Sequence, residues 1–257
     1  MDLNLKDKAA LVTGGSRGIG RAIARRLVDE ECRVSICGRG AEDLEHALTD
    51  LRKGGTRVHG MQADVTQPAE VERYIQESAE QLGGVDLLVA NVGGVIGRGG
   101  IQLSLEDWRR TFELNFFHAV AMIQSVVPYM RKRGGGSIVI IATISGWKPG
   151  PPMHYGAAKA AEIYLAGPLA MELAADQIRV NTLSPGSIMF PEGGWDRMRQ
   201  RDPERFTAFE QREFPSRRLG TAEEIADVAV FLLSERARWI NGAHIPVDGA
   251  QGRPGAF

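Results

Sequence analysis

Seven short runs rich in β-branched and aliphatic residues lie at 9–13, 33–37, 57–61, 86–90, 137–143, 179–184 and 244–247. Longer segments with helical apolar spacing separate them, at 18–31, 41–53, 68–82, 104–131, 155–175 and 222–234. Strict alternation of strand and helix leaves the chain few options. Each strand must be joined to the next by a crossover helix, which makes the sheet parallel and covers it on both faces. The run Ser-Ile-Val-Ile-Ile-Ala at 137–142 is almost continuously apolar, as a strand covered on both sides requires. The expected architecture is therefore α/β, a single domain over residues 1–257 built on a doubly wound parallel sheet, the Rossmann fold. No linker or internal repeat divides the chain. One stretch, 185–218, breaks the rhythm with Gly, Pro, Arg and aromatic residues. It is too long for an ordinary connection, and its part at about 187–218 is read as a mobile substrate flap.

Charge narrows the function. The 31 Lys and Arg against 32 Asp and Glu leave a net charge of −1, no basis for gripping nucleic acid. The most apolar stretch, 112–130, is interrupted by Asn115, His118, Gln124 and Pro128, so no membrane span is expected. The first seven residues lack the basic start and apolar run of a secretory signal, and two cysteines, Cys32 and Cys37, cannot staple a chain of this size. A cytoplasmic setting follows, with both cysteines read as small buried hydrophobes. The five histidines have no ligand spacing, so no metal is expected. The tail at 249–257 names no chemistry.

Directly after the first run comes Thr13-Gly14-Gly15-Ser16-Arg17-Gly18-Ile19-Gly20, opening the first helical segment. Glycines there let backbone N–H groups and a helix N-terminus approach a phosphate, the chemistry of a dinucleotide site. The same letters spell G-x-S-x-G, the pattern of a serine hydrolase with Ser16 as nucleophile. Only about a dozen residues precede the turn, too few for the earlier strand and oxyanion loop of such an enzyme. Further on, Tyr155 and Lys159 sit four residues apart at the start of a helix and so share one face. A cation beside a phenol favours the phenolate and yields an acid/base usable near neutral pH.

The glycine turn, Asp64-Val65 after the third strand, Asn91-Val92-Gly93-Gly94 after the fourth, Asn115 in a helix, the hydroxyls of Thr143 and Ser145, the Tyr155/Lys159 pair and Pro185-Gly186 follow in one order and spacing. Together they resemble the short-chain dehydrogenase/reductase family over residues from about 5 to 249, closest in look to its 3-oxoacyl-carrier-protein-reductase-like members. The resemblance implies hydride transfer between a nicotinamide cofactor and a carbonyl or secondary alcohol, small or acyl-carrier-bound, with reduction as the expected direction. It casts Tyr155 as acid/base, Lys159 as the residue that holds the nicotinamide ribose and lowers the tyrosine pKa, and Asn115 as the holder of a relay water. It also implies cofactor contacts from Gly14, Ser16, Arg17, Gly18, Ile19, Gly20, Asp64, Val65, Asn91, Gly93, Pro185, Gly186 and Ile188. A rival expectation keeps the fold without catalysis, as a cofactor-bound sensor or scaffold.

Two departures from the family pattern stand out. The usual Asn-Asn-Ala-Gly reads Ala90-Asn91-Val92-Gly93, which loses the first Asn. The assisting hydroxyl is displaced too: thirteen residues before Tyr155 is Ala142, whereas three before Gly146 is Thr143. We therefore expect Thr143, with Ser145 as the fallback. Where NAD-preferring relatives carry an acidic residue after the second strand, this chain reads Cys37-Gly38-Arg39, so NADP(H) is expected over NAD(H), with Arg17 and Arg39 on the 2′-phosphate. The helices at 104–131 and 155–175 are apolar around more than one face, which predicts a homotetramer. In the flap, Arg197, Arg199 and Arg201 read as a solvated face or an anion contact, while Trp195 and Phe206 either line a pocket or tack the flap down.

Overall fold

Strand β1 (Ala9–Thr13) has no exposed residue, and its two neighbours flank it in parallel register. A computed structural model describes residues 2–97, 100–150 and 152–252. The remaining strands are β2 (Arg33–Gly38), β3 (Val58–Gln62), β4 (Leu87–Ala90), β5 (Gly136–Ile141), β6 (Ile178–Pro185), the two-residue β7 (Ile188–Met189) and β8 (Gly220–Thr221), and β9 (His244–Val247). Seven of them form one parallel sheet in the order β3-β2-β1-β4-β5-β6-β9, while β7 and β8 pair separately. The order reverses between β1 and β4, where the crossovers leave in opposite directions and open a crevice at the C-terminal strand ends.

Helices α1 (Gly18–Asp29), α2 (Ala41–Leu51) and α9 (Ala222–Leu233) cover one face, and α3 (Pro68–Leu82), α5 (His118–Arg133) and α6 (Met153–Leu173) the other. Strand alternation sorts the core: Val139 and Ile141 of β5 go to the first face, Ile138 and Ile140 to the second. Cys32 and Cys37 are buried, and burial pushes both thiols up to about 12, which leaves them as inert packing groups.

Two segments depart from the sequence-based expectation. The helix expected over 104–131 is α4 (Leu105–Phe112) and α5 joined by a π-helical turn, Glu113–Phe117. The stretch read as a flap contains two helices, α7 (Gly194–Arg201) and α8 (Pro203–Glu213). Asp202 caps α8 by accepting the Arg205 N–H, and Phe206, Phe214 and Leu219 form a small core of their own beside Trp195 and Phe209. Of the tail at 249–257, residues 253–257 lie outside the described residues. No helix among those described is long and apolar enough to cross a membrane.

Candidate active site

A groove of about 830 Å³ opens at the C-terminal ends of β1, β2 and β4. Its floor is the glycine turn. Gly14 and Gly18 hold φ of +63° and +55°, conformations that a side chain strains. A Cβ on Gly20 would strike the Gly14 carbonyl oxygen, so the turn closes tightly enough for its amides to face the groove. Helix α1 starts there without a side-chain cap, which leaves its first N–H groups free of a local acceptor. Asn91 clips the turn in place: its N–H donates to Thr13 Oγ1 at 2.9 Å and its Nδ2 to the Thr13 carbonyl at 3.0 Å. Ser16 packs against Gly38, where a Cβ would lie 2.9 Å from its Oγ. Among the described residues none of the histidines hydrogen-bonds Ser16: His59 bonds Ser35, His154 the Ile96 carbonyl and His244 Ser184. The hydrolase alternative therefore has no base.

Arg17 and Arg39 are exposed along this groove, and neither pairs with a carboxylate among the described residues. Asp43, in the first turn of α2, lines the same groove, so the region is less purely basic than Cys37-Gly38-Arg39 implied. Asp64 and Val65 wall it beyond β3, with Asp64 Oδ1 taken up by Thr66 at 2.8 Å. Pro185, Gly186 and Ile188 are not among its lining residues. Gly186 and Ile188 border a cavity of about 130 Å³, and the Ile188 side chain packs into the core, so only backbone from this segment could meet a ligand in the groove.

The acid/base candidates gather at the other end. Tyr155 and Lys159 of α6 both line the groove. The Thr143 hydroxyl bears on the Tyr155 phenol, favouring its phenolate, and also caps the short 3₁₀ turn Ile144–Gly146. Ser145 meets α6 through its carbonyl, against which a Cβ on Gly156 would collide at 2.6 Å. Asn115 sits in the π-helical turn, fully buried. Its Oδ1 accepts from the Gly94 N–H at 2.9 Å, and its Nδ2 donates to the carbonyls of Gly94 and Thr111, both at 2.8 Å. A Cβ on Gly93 would fall 3.0 Å from Lys159 Nζ, so glycine there is what lets the lysine pass.

Lys159 Nζ donates to the Ile141 carbonyl at 2.9 Å and lies 2.7 Å from Glu162 Oε2. Burial is the largest influence on Tyr155 and pushes its pKa up; Lys159 and the Thr143 hydroxyl pull it down, while Glu162 opposes them. The expectation that Lys159 brings the phenol below its usual range is thus corrected: its effect has the expected sign, but desolvation outweighs it in the free protein.

The sequence reading missed three groove or site residues. Phe190 lays its ring on Gly18, where a Cβ would be 3.0 Å from the ring. Glu162 is a charge set among alanines on a buried helix face, a signal readable in the sequence. Lys148 pairs with Asp248 at 2.6 Å and ties the loop after β5 to the C-terminal segment. In the flap, Trp195 and Arg197 line the groove, Trp195 stacking on Phe209 at 4.3 Å, whereas Phe206 enters the flap's own core and Arg199 pairs with Asp196. A second cavity, of about 630 Å³, lies at the N-terminal ends of the strands around Asp86, Arg133 and Gly136. Parallel sheets place their ligands at the opposite end, and here Asp86 is taken up by Arg133 and the Ala9 N–H.

Residues 14–250 match the family model described as "Enoyl-(Acyl carrier protein) reductase". The chain is 36% identical over 247 residues to human dehydrogenase/reductase SDR family member 4, covering 95% of this chain and 87% of that protein. It belongs to the short-chain dehydrogenase/reductase family. Isoepoxydon dehydrogenase patN of Penicillium expansum is 32% identical over 250 residues, 95% of each chain. The structure of L-sorbose reductase from Gluconobacter frateurii, complexed with NADPH and L-sorbose, superposes with a TM-score of 0.92 at 32% identity over 100% of both chains. A 7α-hydroxysteroid dehydrogenase complexed with NADH and 7-oxo glycochenodeoxycholic acid gives 0.91 at 30%, over 98% and 97%. The protein is an oxidoreductase of this family.

Proposed function

We propose that the protein interconverts a carbonyl and a secondary alcohol with NADP(H), using Tyr155 as the acid/base. The observation that carries this reading is the convergence, in one groove at the sheet's switch point, of a glycine turn open to phosphates and a phenol that a threonine hydroxyl and a lysine both bear on. The cradle fits a dinucleotide: a Cβ at Gly14, Gly18 or Gly20 would collide with Asn91, Phe190 or the Gly14 carbonyl, so only glycines close this turn, and the uncapped α1 N-terminus, with Arg17 and Arg39 unpaired among the described residues, suits its phosphates. Bound there, a nicotinamide dinucleotide supplies or accepts the hydride. Ser16, Ile19, Asp64, Val65, Asn91 and Gly93 would flank it, with the backbone of Pro185, Gly186 and Ile188 at the end nearest Tyr155.

In reduction the Tyr155 O–H gives its proton to the carbonyl oxygen as charge develops there. Thr143 Oγ1, beside the phenol, donates its single O–H to the same oxygen. Lys159 steadies the phenolate left behind and would hold the ribose. Asn115, with its amide committed to Gly94 and Thr111, holds the π-helical turn open where a relay water would sit. Phe190 and Trp195 wall the groove with apolar rings. The partner is a small-molecule or acyl-carrier-bound carbonyl compound, and the flap of about 187–218 shapes its pocket.

A panel of ketones and alcohols with both nicotinamide cofactors, followed at the reduced-cofactor absorbance, tests the reading. Tyr155→Phe should lose about 10²–10⁴-fold in turnover while still binding NADPH. Binding of NADPH without turnover of any compound would favour the sensor reading instead.

A further inference from the structure

Glu162 is fully buried, with no part in the reading above. It lies one turn beyond Lys159 on α6, and the side chains of the two are 2% and 0% exposed. Its Oε2 stands at ion-pair distance from Lys159 Nζ, 2.7 Å, and neither carboxylate oxygen has a hydrogen bond of good geometry among the described residues. A carboxylate taken out of water is costly, and exchanging a buried ion pair for apolar groups of similar volume is often neutral or stabilising. Stability alone therefore does not account for Glu162.

The geometry of the lysine does. An ammonium has three donors. One goes to the Ile141 carbonyl, one is drawn by Glu162, and the third is left for the groove that Lys159 lines. We propose that Glu162 is a positioning residue that anchors the Lys159 ammonium and sets how much of its charge reaches Tyr155. This rests on the proposed roles of Tyr155 and Lys159 and deepens them.

The surrounding groups leave that task to Glu162. On its own helix the titratable groups bearing on it are Lys159 and Tyr155. From α5, His118 faces the same lysine, but burial and that cation push it down to about 3, so it stays neutral. On the α6 side of the sheet, β5 offers the Ile141 carbonyl and β6 offers Thr182, whose hydroxyl is unpartnered among the described residues. On that side β9 carries His244, bonded to Ser184 and edge-on to Trp147, with burial lowering its pKa. Burial pushes the Glu162 carboxyl up to about 8 against the pull of Lys159, so Glu162 is the counter-charge at the lysine above that range, where the raised Tyr155 phenol titrates, and Glu162 and Lys159 act on Tyr155 in opposite directions.

The sign of the test follows. Removing the negative charge makes the phenolate easier to form, so the limb of the pH profile belonging to Tyr155 should move to lower pH, by about one unit. It should do so in alcohol oxidation, which needs the phenolate, and in carbonyl reduction, which needs the phenol. Glu162→Gln and Glu162→Met are measured as NADP(H) holoenzymes alongside Glu162→Asp, which keeps the charge and should bring the limb back toward its wild-type position. A folded neutral variant whose limb stays in place overturns the proposal. In the unaltered protein, nitrogen-resolved NMR should find the Lys159 ammonium protons exchanging slowly, and rapid exchange also overturns it. Tyr155→Phe separates the two levels: full turnover in that variant defeats the acid/base reading and this inference together. Its loss, with an unmoved limb in Glu162→Gln, defeats this inference alone.

Discussion

Thr143 and Ser145 stand two residues apart after β5, and of the two it is the Thr143 hydroxyl that bears on the Tyr155 pKa. Thr143→Val should therefore cost on the order of 10²-fold in kcat, the size of a removed oxyanion donor, while Ser145→Ala keeps nearly full kcat. The reverse pattern would move the role to Ser145. At the far end of the groove Arg39 is exposed and unpaired, so Arg39→Asp should trade attraction of a 2′-phosphate for repulsion. Hydrogen bonds to charged groups are worth about 1.5–3 kcal/mol, which predicts a fall of roughly 10- to 100-fold in kcat/KM with NADPH and a relative gain with NADH. An unchanged preference would show that Asp43, on the same groove, or Arg17 decides the matter. Tyr155, Lys159 and the glycines were legible because their chemistry needs those residue types at those spacings. The net effect on the Tyr155 pKa was not, because desolvation depends on what folds around the phenol.

Helix α9 opens with a capping box in which Thr221 Oγ1 accepts the Glu224 N–H at 3.3 Å and Glu224 Oε2 accepts the Thr221 N–H at 2.9 Å. Thr221→Ala should lower stability by about 1 kcal/mol, read as a shift in the denaturant midpoint. Glu224 also pairs with Arg218 at 2.6 Å, and that bond, with the backbone bond from Thr221, holds its carboxyl down to about 2. A depressed carboxyl contributes stability above its ordinary range, and the contribution fades as pH falls from there toward about 2. The pair is roughly half exposed, so it is worth about 0.2–1 kcal/mol, and Arg218→Ala should narrow the stability gap between neutral and acid pH by that amount. Strands and long helices were legible from their period. The π-helical turn was not, because the bonds of Asn115 to Gly94 reach across 21 residues. Helices α7 and α8 were passed over as a flap although Asp202-Pro203 and the Phe206/Phe209 spacing carry an N-cap and an apolar face, in a segment too short and arginine-rich for the period to stand out.

At the scale of the molecule, the long helices behave as their all-round apolarity suggested. Met122, Ile123 and Val126 are buried in the core, while Phe117, Tyr164 and Met171 are left 48%, 77% and 83% exposed. We expect a homotetramer that covers these side chains, with light scattering giving about four times 28.0 kDa. A mass near 28.0 kDa at micromolar concentration would refute it. The sequence by itself determined the parallel seven-stranded sheet, the place of the glycine turn and the presence of Tyr155 and Lys159 on one helix face, because periodicity, crossover connection and the glycine requirement act over a few residues at a time. Only the tertiary structure decided that the Thr143 hydroxyl bears on Tyr155, that Ile188 turns into the core, that Phe190 lies on the cradle and that Glu162 is buried against Lys159. Each of those depends on how far a group is taken out of water and which distant strand or helix it then meets, and no spacing along the chain records that.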